Sequence, residues 1–395
     1  MSPAPLDPRF SDLPPPSDAE HAHSARVIAH LVHAIADQEG WISFADYMNA
    51  ALYAPGLGYY AGGAQKFGAA GDFVTAPELT PLFGRTLAVQ LAQVLAQVPD
   101  GEILEIGPGS GRLAADVLTA LAEQNSLPSR YLLLEVSPDL RERQRQYLAA
   151  QVDDLMPRVQ WIDVLPERWQ GAVVANEVLD AVPAHLVARR DRQWFERGVT
   201  VDAGAHLAFA DRPLTTGMLR RMAEARFPDA SDYASELNPT AEALVTGIAG
   251  RCARGAMLLV DYGFPAAEYY HPQRDGGTLM AHYRHRALAD PFCYPGLIDM
   301  TAHVDFSAMA RAGLAAGMSV AGFATQAHFL VNCGVLDALA RCGEPQSAAY
   351  LRAASAVQKL TSPAEMGELF KVLAFTRGID ATLLGFREGE RSHRL

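Results

Sequence analysis

The sequence predicts an α/β chain built on a mostly parallel sheet, and three observations lead there. From Gly101 onward, short apolar runs alternate with stretches of helical spacing. Those runs are apolar on both faces, as in EILEIG, YLLLEV and AMLLVDY, the pattern of strands covered by helices on each side. A glycine cluster, GPGSG, stands where the first run passes into a helical pattern.

The chain has 395 residues, enough for two or three domains or one large elaborated one. Hydrophobic residues make up 49% and charged residues 20%, which excludes wholesale disorder. The net charge of −12 argues against a nucleic-acid binder or an anionic-membrane binder, whose first task is to neutralise phosphate. Cys252, Cys293, Cys333 and Cys342 form no C-x-x-C pair, so neither a zinc ribbon nor a disulfide framework is supported. No apolar run approaches the roughly 18 residues that span a bilayer. A cytoplasmic protein is expected.

In chain order, residues 1–24 read as a Pro-rich leader, too acidic for a transit peptide and without an apolar h-region. Residues 25–100 read as an N-terminal cap. It opens with a helix over Ala25–Asp37, passes through the glycine- and aromatic-rich stretch Ala51–Phe83, and ends in a helix over Leu82–Val98. Core strands are expected at Glu102–Gly107, Tyr131–Val136, Val159–Val164, Ala172–Asn176 and Ala256–Tyr262. Helices are expected at Gly111–Glu123, Pro138–Gln151 and Pro239–Ala253. This core, 101–264, is interrupted near 187–230 by a hairpin and a helix from Pro213 to Arg226, and residues 265–304 read as an irregular substrate-side insert. The remainder, 305–395, holds a helix (Asp305–Met318), a strand (Ser319–Gln326), a helical insert at 328–362 and a last strand, Phe370–Arg377.

Gly107, Gly109 and Gly111 allow tight turning and close approach of a ligand, so this strand–loop–helix suits a nucleotide-type cofactor. The competing dinucleotide fingerprint needs a third glycine where this chain has Arg112, and a bulky side chain spoils the close helix–strand packing. Glu135 closes the second strand, where an acceptor-only carboxylate can take both hydroxyls of a ribose. Ile162 and Asp163, ending the third, are placed to flank a purine. The fourth ends in NEVLDAVP: Asn176 offers donor and acceptor to an amino-acid tail, and Glu177 and Asp180 put two acids close by. A helix cap is the competing role for Asp180.

LEIGPGSGRLAADVL, YLLLEVSPDLRERQ and VVANEVLDAVPAH together resemble class I S-adenosylmethionine-dependent methyltransferases. More narrowly, the chain resembles the family whose mitochondrial members are protein arginine methyltransferases needed for assembly of respiratory complex I. Further blocks carry that narrower resemblance, among them GDFVT (71–75), PEL (77–79), DYG (261–263), TAHVDF (301–306) and MGELFK (366–371). It implies a Rossmann-like fold with a seven-stranded sheet whose last strand is antiparallel. Its implied cofactor is S-adenosyl-L-methionine, held by Glu105, Gly107, Gly109, Gly111, Glu135, Ile162, Asp163 and Asn176, with Gly71, Asp72 and Thr75 in a lid. The implied partner is a protein carrying arginine, a respiratory-complex subunit being one such protein, with no nucleic acid and no membrane insertion; a homodimer is left open. In eukaryotic relatives the compartment would be the mitochondrial matrix.

Arginine is a poor nucleophile, because its charge is delocalised and its pKa exceeds about 12. Carboxylates that orient it and help to remove a proton are therefore expected: Glu177 first, with Asp180 or Asp261 second. Tyr262, His303 and Asp305 are candidates for the substrate pocket. No metal is expected, since the H-x-x-H of His282 and His285 fits no strong zinc pattern. The rival readings are a non-catalytic chaperone that keeps the cofactor pocket, a methyltransferase of small molecules, and a nicotinamide dehydrogenase.

Overall fold

The computed structural model describes residues 13–62 and 75–395. Strands β1 (Glu102–Ile106), β2 (Tyr131–Leu134), β3 (Val159–Ile162) and β4 (Trp169–Asn176) begin the sheet, with helices Arg112–Glu123 and Pro138–Val152 as the first two crossovers. Strands β5 (Cys252–Phe264), β6 (Ser319–Thr325) and β7 (Phe370–Arg377) complete it in the order β6-β7-β5-β4-β1-β2-β3. Every neighbouring pair from β5 to β3 is parallel, and β7 runs antiparallel to both β5 and β6. The expected seven strands and antiparallel last strand are therefore present. A two-residue strand, Val304–Asp305, adds to the end of β5.

The chain forms two compact units, and the sheet belongs to the one comprising Val74–Asp180, Ala241–Tyr269 and His303–Leu395. In its core Ile103, Tyr131, Leu133 and Val174 meet Leu87, Leu91, Leu113, Val117 and Leu148 from the helices. That face accounts for the apolar runs read from sequence. Helix Pro81–Leu95, expected to close the N-terminal cap, instead packs in this core through Leu82, Leu87, Leu91 and Val94. Its apolar stripe needs a large surface to cover it, and the sheet supplies one.

The other unit comprises Met1–Phe73, Ala181–Thr240 and Tyr270–Ala302. The hairpin expected near 187–230 is part of a five-stranded antiparallel sheet, made by His185–Arg190, Gln193–Val201 and Leu207–Pro213 with Tyr233–Leu237 and Ile42–Ser43. Pro213 pairs with Phe195, so the helix expected from Pro213 starts only at Met218. The insert expected to be irregular holds a small sheet of Met280–Tyr283, Arg286–Leu288 and Asp299–Thr301. Two- to four-residue strands are too short for periodicity to reveal; distant pairing creates them. Aromatics hold the described start of the glycine-rich stretch: Tyr53 stacks on Tyr60 at 5.4 Å, and the Tyr60 hydroxyl donates to Asp299 at 2.8 Å.

Candidate functional site: the carboxyl edge of the sheet

Between β1 and β4 the strand order reverses, which opens a crevice at the carboxyl ends of the strands. Gly107, Gly109 and Gly111 line the turn there with φ of 61°, 55° and 84°, the left-handed region that side chains strain to adopt. A Cβ on Gly107 would also come within 3.0 Å of Val178 Cγ2. Gly111 caps the helix Arg112–Glu123, whose first N–H groups face the crevice end of the loop.

Glu135 lies just beyond β2 and is buried. One of its oxygens accepts the Ser137 N–H at 2.8 Å and the other accepts Gln144 Nε2 at 3.0 Å. Burial raises its pKa, while the donors of Ser137, Gln144 and Val136 and the charge of Arg141 oppose the rise. Arg141 ties the neighbouring strand ends together, donating to the Glu135 carbonyl at 2.6 Å and to the Ile162 carbonyl at 3.0 Å. It also pairs with Asp163, whose side chain is 74% exposed. Val136, beside Glu135, leaves an apolar side chain 71% exposed at the same edge.

At the end of β4, Glu177 holds φ at +52°, a strained value for a non-glycine residue. Its carboxylate accepts the Ala76 N–H and Asn176 Nδ2, each at 3.2 Å. Asn176 Oδ1 is buried without a hydrogen-bond partner among the described residues. Asp180 accepts the Tyr262 hydroxyl at 2.7 Å. Tyr262 in turn meets His303 edge-on at 5.1 Å, and His303 stacks on Phe264 at 5.2 Å. Glu177, Asp180, Tyr262 and His303 thus gather at the ends of β4 and β5.

Three predicted residues do other work. Asp261 is 1% exposed, and its Oδ2 accepts the N–H groups of Val178, Leu179 and Asp180 at 3.2, 2.9 and 3.3 Å, while Oδ1 accepts that of Tyr262 at 2.9 Å. It anchors the turn rather than facing a substrate. Burial, with Asp180 and Glu177 nearby, pushes its pKa well up. Asp305 caps the helix Phe306–Ala315 through the Ala308 N–H at 2.9 Å, which makes it a structural cap instead of a pocket wall. Glu105 is turned into the core, where it accepts the Tyr131 hydroxyl at 2.7 Å. Alternation along β1 puts it on the Ile103 face, away from the crevice. Of the expected lid residues, Gly71 and Asp72 lie outside the described residues. Thr75 precedes the short helix Ala76–Leu79 and makes no side-chain cap bond. Among the described residues no group of three or more His, Cys, Asp or Glu could hold a metal ion.

Glu105 carries a consequence for stability. Burial raises its pKa from 4.5 to about 7, so the folded state takes up a proton that the unfolded chain has lost. Its contribution is complete below pH 4.5 and disappears as pH rises through about 7. Glu105→Gln keeps an acceptor for Tyr131 and removes the titration. The variant should gain on the order of 3 kcal/mol over the wild type at pH 8 and show a flatter stability curve between those limits. Parallel urea-unfolding curves for the two proteins across pH 4.5–8 would contradict this.

Sequence reasoning missed the role of two residues at the site, Gln144 and Glu78. Helix Pro138–Val152 buries Leu140, Gln144, Leu148 and Val152, so a glutamine occupies its apolar stripe. Glu78 receives Ser110 Oγ and pairs with Arg112 Nε at 2.9 Å, which fastens the PEL segment to the glycine loop. For the first the signal was a polar residue at i+4 spacing among leucines. The second has no local signature.

A family model described as "Putative S-adenosyl-L-methionine-dependent methyltransferase" matches residues 85–324. The mouse (Mus musculus) protein arginine methyltransferase NDUFAF7, mitochondrial, is 30% identical over 90% of this chain and 85% of its own length. Its Drosophila melanogaster homolog is 30% identical over 93% and 88%. A Burkholderia thailandensis crystal structure with bound S-adenosyl-homocysteine is 51% identical, with a TM-score of 0.94 over 97% of this chain and all of that one. This chain therefore belongs to the family of S-adenosyl-L-methionine-dependent methyltransferases.

Proposed function

We propose that this methyltransferase modifies arginine on a protein partner, using the acids at the end of β4. The observation that carries the proposal is Glu177, held at a left-handed φ with its carboxylate at the crevice edge, beside the Asp180–Tyr262 pair. The names of the relatives support the same substrate class.

The donor set fits S-adenosyl-L-methionine. Glu135 takes donors from Ser137, Gln144 and Val136, and an acceptor-only carboxylate with about four positions keeps one for a ribose hydroxyl. The unmatched Asn176 Oδ1 can accept from the ammonium of the amino-acid end. Val136 and Ile162 can cover the purine, with Asp163 at its rim. When bound, the cofactor supplies a methyl group on a sulfonium. Glu177 would then hold the guanidinium by charge-assisted hydrogen bonds and draw off its proton. Asp180, braced by Tyr262, would add a second acceptor, and His303 would wall the pocket. The domain reading proposed is one catalytic sheet unit elaborated by the cap and inserts, working in the cytoplasm.

The test is incubation of the purified protein with methyl-labelled cofactor and whole-cell protein from a strain lacking it, followed by hydrolysis and separation of the amino acids. Label in methylarginines is the expected result. Cofactor binding with no label transferred would favour an assembly chaperone, and label confined to small molecules would favour the other rival. Either outcome defeats the proposal.

A further inference from the structure

The side chain of Gln144 is 0% exposed, yet it is polar and lies at the centre of the cofactor edge. Its amide makes three bonds: Nε2 donates to the Gly109 carbonyl at 2.9 Å and to Glu135 Oε2 at 3.0 Å, and Oε1 accepts Trp161 Nε1 at 2.9 Å. The two faces of an amide look alike in shape, but here the partners fix its orientation. Indole can only donate, and a carbonyl and a carboxylate can only accept. All three demand the same setting, and every partner sits on a different element: the glycine turn, the end of β2, and β3. We infer that Gln144 is a positioning residue that holds the Glu135 carboxylate in the orientation that reads a ribose, and keeps the glycine turn in register with it.

This inference rests on the cofactor reading of Glu135 given above. Without Gln144, Oε2 loses its side-chain donor, and the carboxylate keeps only the backbone donors of Ser137 and Val136 to set its orientation. One hydrogen bond to a buried carboxylate, once lost, also favours the protonated acid. Arg141 is the other charged group acting on Glu135, and it touches the backbone carbonyl rather than the carboxylate. Asp163 is paired with Arg141 and exposed. A substitution at position 144 should therefore act on the ribose end specifically. General loosening would weaken all ligands alike.

The experiment is titration calorimetry of wild type and Gln144→Met with S-adenosylhomocysteine and its 2′-deoxy analogue, from pH 5.5 to 8.5. The expected result is an affinity for S-adenosylhomocysteine about tenfold lower in the variant, with the 2′-deoxy analogue lowered less than about threefold. The acid limb of binding should also move to higher pH. Equal losses for both ligands with an unmoved acid limb would overturn the inference, as would no loss at all. If Gln144→Met does not fold, Trp161→Phe removes the donor that orients the amide and should narrow the ribose preference in the same direction; an unchanged preference again overturns it. Failure of the wild type to bind either ligand would instead strike down the cofactor reading beneath it.

Discussion

Glu177→Gln is expected to lower methyl transfer by about 10²–10³-fold while leaving the affinity for S-adenosylhomocysteine within about threefold of wild type. The substitution keeps shape and keeps an oxygen able to accept the Ala76 N–H and Asn176 Nδ2. The strained backbone at φ +52° is retained as well. What is lost is the charge, and with it the attraction for a guanidinium and the ability to receive its proton. Arginine needs that assistance more than other nucleophiles, because its nitrogen lone pairs are delocalised. Single-turnover label transfer, with calorimetry on the same preparations, reads the two quantities separately. Wild-type turnover would remove Glu177 from the chemistry. A parallel collapse of cofactor affinity would make it a binding residue.

A larger structural loss is expected from Asp261→Ala. Four backbone N–H groups converge on this one buried carboxylate, three of them from the turn that carries Glu177 and Asp180 toward the crevice. Removing it strands these donors in a place water does not reach, at a cost on the order of 3–5 kcal/mol. Chemical unfolding should show that loss, and methyl transfer should fall even in the fraction that remains folded, because the turn loses its anchor. Asp261→Asn restores an acceptor oxygen but turns an NH₂ toward other donors, so it should lie between the alanine variant and wild type. A fully stable and active Asp261→Ala protein would show that the turn holds its shape without the carboxylate. The expectation reverses the sequence-based one, in which Asp261 shared the chemistry with Glu177.

The contrast between Glu177 and Asp261 marks the boundary of what a linear reading can reach. Both are acids at the ends of apolar strands, and both stand in blocks that resemble a known family. Only Glu177 has a half-buried carboxylate at the crevice edge; Asp261 is enclosed by a turn that comes from a strand more than eighty residues earlier. Glu105 illustrates the same point. The family resemblance implied a cofactor contact for it, but the pleat of β1 directs it into the core toward Tyr131. Asp305 met its fate locally, as the cap of the helix that follows.

The residues alone determined the α/β class, the order of core strands along the chain, the glycine turn and the acid after β2. Each of these is written in nearest-neighbour chemistry: two-faced apolar runs make buried strands, three glycines permit three left-handed φ values, and an acceptor-only side chain closes a strand. Tertiary structure decided which acids look into the crevice and which are consumed as anchors, and it made a buried glutamine the junction of three elements. Hydrogen-bond partners are chosen by distance in space, and in this chain the pairs that matter are joined only after the sheet has closed.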